Sequence, residues 1–140
     1  FALELARNGA RVVVLERSRA AALKVCGDFL SGEALDLLAY LDVDTDGLCA
    51  TKVGKLTLAT GGKTATATLP FRAAGLSRLC LDETLIQLAA KAGADVVRGV
   101  AVTSLRPEAL GAVITTDVEP HTAPVVALAP GKHVGALRVE

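Results

Sequence analysis

The fold of this chain is decided by residues 2–16, which read ALELARNGARVVVLE. Small and apolar side chains on one side of residues 2–8 predict a short helix. Gly9 follows, and glycine readily adopts the positive φ that ends a helix. The β-branched run that comes next predicts a strand over residues 11–16. Together these signals predict the helix–turn–strand half of a βαβ unit.

The acidic residue at the end of the predicted strand, Glu16, is the first candidate binding residue. In dinucleotide-binding βαβ units a carboxylate at this point accepts hydrogen bonds from a ribose hydroxyl. The spacing AxxLAxxGxxVxxxE favours that role, and a solvated acid at a strand end is the alternative. A carboxylate here would also repel a ribose 2′-phosphate. Arg17 is a candidate for contact with adenine or phosphate, and a plain exposed arginine is the alternative.

The segment expected before this helix bears on the interpretation as well. A first strand and a glycine-rich phosphate loop normally precede it, and the chain starts at Phe1 without them. We therefore expect a fragment of a larger protein.

The 140 residues are 51% hydrophobic but only 3% aromatic, so the core must consist of Ala, Val and Leu. That composition suits a parallel sheet covered by Ala-rich helices.

Charge and cysteine usage exclude several classes of function. Fifteen basic and fifteen acidic residues cancel, so we expect no nucleic-acid partner. Three widely spaced cysteines form no metal motif, and they favour a reducing, cytoplasmic compartment. No apolar run is long enough to predict a transmembrane segment. We also see no signal peptide.

Periodicity and turn residues predict the remaining elements. Strand-like alternation on both sides of Gly61-Gly62 predicts an antiparallel β-hairpin with one polar face, inserted between parts of the first domain. Ser31 is the predicted N-cap of the second of three further helices, and Asp82 and Glu83 are placed in the first turn of the third. The predicted helices cover residues 20–24, 32–41 and 81–92. The predicted strands cover residues 55–60, 63–69, 95–98, 101–105, 112–117 and 123–129, with a loop at 70–77 and a turn at 106–111.

Three further segments occur in an order that matches a known family. Residues 24–31 read KVCGDFLS, residues 75–85 read GLSRLCLDETL, and residues 125–134 read VVALAPGKHV. They resemble the KxCGxxLS, (S)R..LD..L and VxxADGxxS segments of FAD-dependent oxidoreductases of the geranylgeranyl-reductase-like group. That group shares its fold with the aromatic hydroxylases and the flavin-dependent halogenases. In the third segment, Pro130 and Val134 replace the family's Asp and Ser.

The resemblance implies a fold and a domain organisation. The fold class is α/β, a Rossmann-like FAD-binding fold with an inserted antiparallel β-sheet, truncated at both ends. Residues 1–48 would form the first part of the FAD-binding domain, without its first strand and GxGxxG loop. Residues 49–75 would form an inserted β-hairpin of the substrate domain. Residues 76–140 would continue the FAD-binding domain.

The resemblance also implies roles for individual residues. Glu16 would bind the FAD ribose, with Arg17 beside it as a further cofactor-binding residue. Arg78 would approach FAD from the start of the third helix, and a plain surface arginine is the alternative. Gly131 would mark the turn after a sheet strand. A loop near the isoalloxazine or the FAD chain would contain Cys26, Gly27 and Asp28. Cys26 is the one candidate for catalysis, and a small buried side chain is the alternative.

The implied function is that of a flavin oxidoreductase. The group typically reduces C=C bonds of isoprenoid-like substrates; the alternatives are aromatic hydroxylation, halogenation, or a non-catalytic remnant unable to bind FAD alone. The cofactor would be FAD, and the partners a small apolar or aromatic substrate and NAD(P)H or another electron donor. We expect the fragment alone to be inactive. The predicted location is the cytoplasm, with membrane association if the substrate is a lipid.

Overall fold

The computed structural model describes residues 1–24, 28–131 and 137–139, and it is mixed α/β. The described helices are Ala2–Arg7 (α1), Gly32–Tyr40 (α2) and Arg78–Lys91 (α3). The described strands are Val13–Glu16 (β1), Phe29–Ser31 (β2), Thr51–Lys52 (β3), Lys55–Thr60 (β4), Lys63–Thr68 (β5), Ala73–Gly75 (β6), Asp95–Arg98 (β7), Val102–Glu108 (β8), Gly111–Thr116 (β9), His121–Ala123 (β10) and Arg138–Val139 (β11).

These strands form four separate sheets in the described part of the chain. β1 and β7 are parallel, with Leu15 opposite Val97. β4 and β5 form an antiparallel hairpin. A three-stranded antiparallel sheet has the order β2-β6-β3, and a four-stranded sheet has the order β10-β9-β8-β11 with β11 parallel to β8. The mixture of parallel and antiparallel pairs agrees with the predicted α/β class.

The chain divides into two compact units. The first contains residues 1–12 and 21–94, and the second contains residues 13–20 and 95–140. All three helices belong to the first unit, whereas β1 and β7 belong to the second. The predicted division at residues 48/49 and 75/76 concerns FAD-binding and substrate domains, and it stays a prediction.

The core of the first unit is built from aliphatic side chains of all three helices. Leu3 of α1, Leu38 of α2 and Leu81 of α3 are each less than 9% exposed. The apolar spacing of Leu81, Leu85, Leu88 and Ala92 also predicts one buried stripe along this helix. It is confirmed, because Leu85, Leu88 and Ala92 pack against the same cluster. Each fully buried aliphatic side chain contributes about 1.5–3 kcal/mol by leaving water.

The opening stretch folds largely as its pattern predicts. α1 begins at Ala2, and Gly9 has a φ of +78°, the positive value expected after a helix end. The strand is two residues shorter than predicted and begins at Val13. Its partner β7 covers the predicted residues 95–98. The parallel pair therefore forms between the two stretches that each follow a helix and a glycine.

The β4–β5 hairpin is also present, and its two faces differ as predicted. Leu56 and Leu58 lie opposite Ala67 and Ala65 on one face. Threonines dominate the other face, where Thr57 and Thr66 share a hydrogen bond of 3.0 Å between their hydroxyl oxygens. All twelve strand residues are exposed.

Two predictions between residues 20 and 77 are wrong. Residues 20–24 are irregular and not helical. Leu23 is 87% exposed, so this stretch lacks the packing that stabilises a helix as short as α1. The predicted loop at 70–77 contains the strand β6, since pairing with β2 and β3 supplies hydrogen bonds that its small side chains do not signal.

Three predictions in the remaining chain are also wrong. Helix α3 begins at Arg78, so Asp82 and Glu83 lie in its second turn. The turn predicted at residues 106–111 is reduced to two residues, because β8 continues to Glu108 and β9 starts at Gly111. Residues 124–129 form no strand, and Val125 is 77% exposed. An apolar sequence without a strand partner gains no ladder of hydrogen bonds.

Candidate functional site

Glu16 lies at the carboxyl end of β1 in the second unit, where its backbone is firmly held. Its carbonyl oxygen accepts hydrogen bonds from the amides of Gly99 at 2.8 Å and Val100 at 3.2 Å. Its Cα is paired with that of Arg98 on β7. The strand pairing therefore fixes the direction in which the half-buried side chain leaves the sheet edge.

The two carboxylate oxygens of Glu16 differ in their contacts. Oε1 accepts the amide of Ser18 at 2.7 Å, which orients the carboxylate. Among the described residues, Oε2 has no hydrogen-bond partner. A carboxylate fixed through one oxygen can accept hydroxyl donors at the other, and an ionised carboxylate is acceptor-only. The geometry thus suits a ligand that presents hydroxyl groups.

The turn after Glu16 depends on a glycine of the neighbouring strand end. Gly99 has a φ of +75°, and a Cβ added there would lie 2.9 Å from Cγ of Arg19. Glycine therefore allows the Arg19 stem to pack against the backbone that also holds Glu16. Arg17 is exposed beside this turn.

Asp28 belongs to the first unit and binds the segment that leads into α3. Its Oδ1 accepts the backbone amide of Arg78 at 3.0 Å, and its carbonyl oxygen accepts the amide of Leu76 at 2.8 Å. Ser77, at the N-cap position, makes no capping hydrogen bond with its own side chain. Asp28 therefore caps α3 from 50 residues away, and its φ of +50° aims the carboxylate at the helix start.

Arg78 and its neighbours form a network of charges at the same place. Nε and Nη2 of Arg78 donate to Oδ1 of Asp82 at 2.9 Å and 2.8 Å. Nζ of Lys24 pairs with Oδ2 of Asp82 at 3.4 Å. The structure thus brings Asp28 and Arg78 together, and their roles toward FAD stay predictions.

Three predicted site residues remain to be located: Cys26, Gly27 and Gly131. Cys26 and Gly27 lie outside the described residues. Gly131 occupies a turn with a φ of +74°, but no strand precedes it, so the expected strand-then-turn arrangement is absent from the described chain around it. No group of acidic, cysteine or histidine side chains in the described ranges has a metal-binding arrangement. None of the three described helices has the length and apolar run that a membrane span requires.

Sequence reasoning assigned no site role to Asp82 and Lys24. The spacing of Arg78 and Asp82 was an available signal, because side chains four residues apart meet on a helix surface. The contact of Lys24 with Asp82 had no such signal. The two residues are 58 positions apart in sequence, and Lys24 lies in a stretch predicted to be helical.

Comparison with known proteins identifies the fold. No family model and no curated protein sequence matches this chain. Solved structures do match. The halogenase PltM in complex with phloroglucinol and FAD superposes with a TM-score of 0.73 at 18% identity, over 88% of this chain and 30% of that one.

Two other similar structures carry names that indicate other reactions. A geranylgeranyl bacteriochlorophyll reductase-like protein from Thermoplasma acidophilum has a TM-score of 0.64 at 24% identity, over 86% of this chain and 32% of that one. The p-nitrophenol 4-monooxygenase PnpA from Pseudomonas putida DLL-E4 has a TM-score of 0.72 at 15% identity, over 86% and 34%. The chain thus spans about a third of the length of each. The resemblance seen in the sequence is confirmed at the level of the fold.

Proposed function

We propose that this chain is part of an FAD-dependent oxidoreductase with a Rossmann-like cofactor domain. One observation carries the proposal: Glu16 ends a strand of a parallel pair with one carboxylate oxygen fixed by Ser18 and the other open to a hydroxyl group. The fold shared with flavin-dependent halogenase, monooxygenase and reductase-like structures supports it.

We propose that each of the two units supplies donors and acceptors for FAD. Glu16 would accept hydrogen bonds from the adenosine ribose hydroxyls, with Arg17 near the adenine or a phosphate. Arg78 carries a guanidinium, whose planar fork suits pyrophosphate or ribitol oxygens. Asp28 would belong to the loop near the flavin, together with Cys26 and Gly27. When bound, the flavin supplies the hydride or oxygen chemistry, and the protein supplies binding and orientation.

The substrate follows from the sequence resemblance. We propose reduction of a C=C bond in an isoprenoid-like substrate, with NAD(P)H or another donor supplying electrons. The KVCGDFLS segment and the 24% identity to the reductase-like structure favour this reaction. The second candidate is hydroxylation or halogenation of an aromatic ring, since the similar structures include a halogenase, PltM, and a p-nitrophenol 4-monooxygenase, PnpA. Two assays distinguish these candidates. Reduction of an isoprenoid alkene without oxygen would support the first reaction, and oxygen consumption in the presence of a phenol would support the second.

FAD titration tests the central proposal. We expect the chain to take up FAD, with quenching of the flavin fluorescence, and Glu16→Gln to raise the Kd about 10-fold by weakening a charge-assisted hydrogen bond. Glu119→Gln is the matched control, since Glu119 is an exposed acid of the same unit. A chain that fails to take up FAD, or a Glu16→Gln variant with unchanged affinity, contradicts the proposal.

A second measurement compares the affinities of two adenosine nucleotides that differ at the ribose. The negative charge of Glu16 should make ADP bind better than adenosine 2′,5′-bisphosphate, because a 2′-phosphate would face the carboxylate. Glu16→Gln should reduce this preference.

A further inference from the structure

The guanidinium of Arg78 is held by the carboxylate of Asp82, a residue to which the proposed function assigns no role. Nε and Nη2 both donate to Oδ1 of Asp82, at 2.9 Å and 2.8 Å. Two hydrogen bonds to one oxygen hold this edge of the guanidinium against Asp82. Asp82 therefore limits the orientations that the Arg78 side chain can adopt.

The backbone of Arg78 is held independently. Its amide donates to Oδ1 of Asp28 at 3.0 Å, and the amide of Leu76 donates to the Asp28 carbonyl at 2.8 Å. Arg78 is thus restrained at the backbone by Asp28 and at the guanidinium by Asp82. Restraint at both ends is what a side chain needs if it is to be oriented before a ligand arrives.

The surroundings of Asp82 distinguish this pair from an ordinary surface ion pair. The side chains of Arg78 and Asp82 are 37% and 22% exposed, whereas both side chains of the Arg72–Asp36 pair are about 70% exposed. Shelter from solvent reduces screening of the charges. Lys24 also binds the second oxygen of Asp82, so the carboxylate itself cannot rotate freely.

We propose that Asp82 is a positioning residue that presents the Arg78 guanidinium to FAD in one fixed orientation. This inference rests on the proposed FAD-binding function. It assigns Asp82 no contact with the cofactor. Asp82 acts through Arg78, and its effect on FAD affinity exists only while Arg78 is present.

A double-mutant cycle tests this dependence. FAD Kd values are measured for the wild-type chain, Asp82→Asn, Arg78→Ala and the double variant. We expect each single substitution to raise the Kd about 10-fold, since each loses an oriented charge-assisted contact. The double variant should bind FAD no more weakly than Arg78→Ala, because residues that act as a unit are not additive. Asp82→Glu, which keeps the charge, should retain more affinity than Asp82→Asn.

Asp36→Asn is the matched control, because it removes the same charge from an exposed ion pair of the same unit. Its FAD affinity should equal that of the wild type. If Asp82→Asn fails to fold, Arg78→Lys keeps the charge but loses the planar fork, and it should also weaken FAD binding about 10-fold. Wild-type affinity in Arg78→Lys would overturn the inference.

The outcomes separate the inference from the function on which it rests. Additive effects in the double variant, or an unchanged Kd in Asp82→Asn, overturn the positioning role and leave FAD binding intact. Failure of the wild-type chain to bind FAD overturns the proposed function, and the positioning role with it. A Kd of the double variant equal to that of Arg78→Ala supports the inference.

Discussion

At the residue scale, carboxylates of this chain act by accepting hydrogen bonds at defined places. Asp28 replaces the local serine as the cap of α3. Glu16 is oriented by the amide of Ser18, two residues along the chain. Glu4 accepts the hydroxyl of Tyr40 at 3.0 Å and so links α1 to α2. In each case the acceptor and donor belong to different elements, or to a strand and its following turn.

The contact between Glu4 and Tyr40 gives a prediction about pH. The hydrogen bond from the Tyr40 hydroxyl to Glu4, assisted by the negative charge of Glu4, raises the pKa of Tyr40 above its ordinary value. Tyr40 is the only tyrosine and the chain has no tryptophan, so tyrosinate absorbance reports this group alone. Glu4→Gln should shift the titration to lower pH.

The sign of the stability effect follows from the same contact. Because the folded-state pKa is raised, the contribution of the hydrogen bond is fully present below the pKa of the unfolded chain. It is lost as the pH rises through the folded-state pKa. Glu33→Gln, on the exposed first turn of α2, should leave the tyrosine titration unchanged. An identical titration in Glu4→Gln and wild type would show that the contact does not form in solution.

At the element scale, the helices with local signals were predictable and the elements held by distant partners were not. α2 could be predicted because Ser31 and the leucine spacing lie within ten residues. The strand β6 could not, since Ala73–Gly75 carries only small side chains and depends on β2 and β3. The same reasoning applies to the candidate site: the role proposed for Glu16 was expected from one continuous motif, whereas the Asp28–Arg78 contact joins residues 50 apart.

The two helix starts give a paired prediction. The hydroxyl of Ser31 accepts the amide of Ala34 at 3.3 Å, so Ser31→Ala should lower the free energy of unfolding by about 1 kcal/mol. Ser77→Ala should have little effect, because Asp28 already supplies the cap of α3. Urea denaturation measures both variants. Equal losses of stability would mean that the two serines cap in the same way and that Asp28 does not.

At the scale of the whole molecule, the sheets differ in how much of their surface is buried. The β4–β5 hairpin is exposed on both faces, with Leu58 63% exposed. In the β8–β9 hairpin, Leu105 and Ile114 lie directly opposite each other and are each less than 9% exposed. A two-stranded hairpin without a packed face is only marginally stable in water.

Hydrogen exchange should therefore separate the two hairpins. Ladder amides of β4–β5 should exchange roughly 100-fold faster than those of β8–β9, because few buried contacts oppose local opening there. Amide exchange followed by NMR or mass spectrometry measures the difference, with β8–β9 as the internal reference. Equal protection would indicate that the exposed hairpin is covered in solution.

The pairing of β1 with β7 also has a consequence for synthesis. Leu15 leaves the ribosome long before Val97, its partner in the parallel ladder, has been translated. The backbone groups of β1 must meanwhile remain in water or find temporary partners, while the entire sequence of residues 21–94 is added. The first unit can begin to fold co-translationally around its helices, but completion of the Glu16 strand end has to wait until Arg98 has emerged.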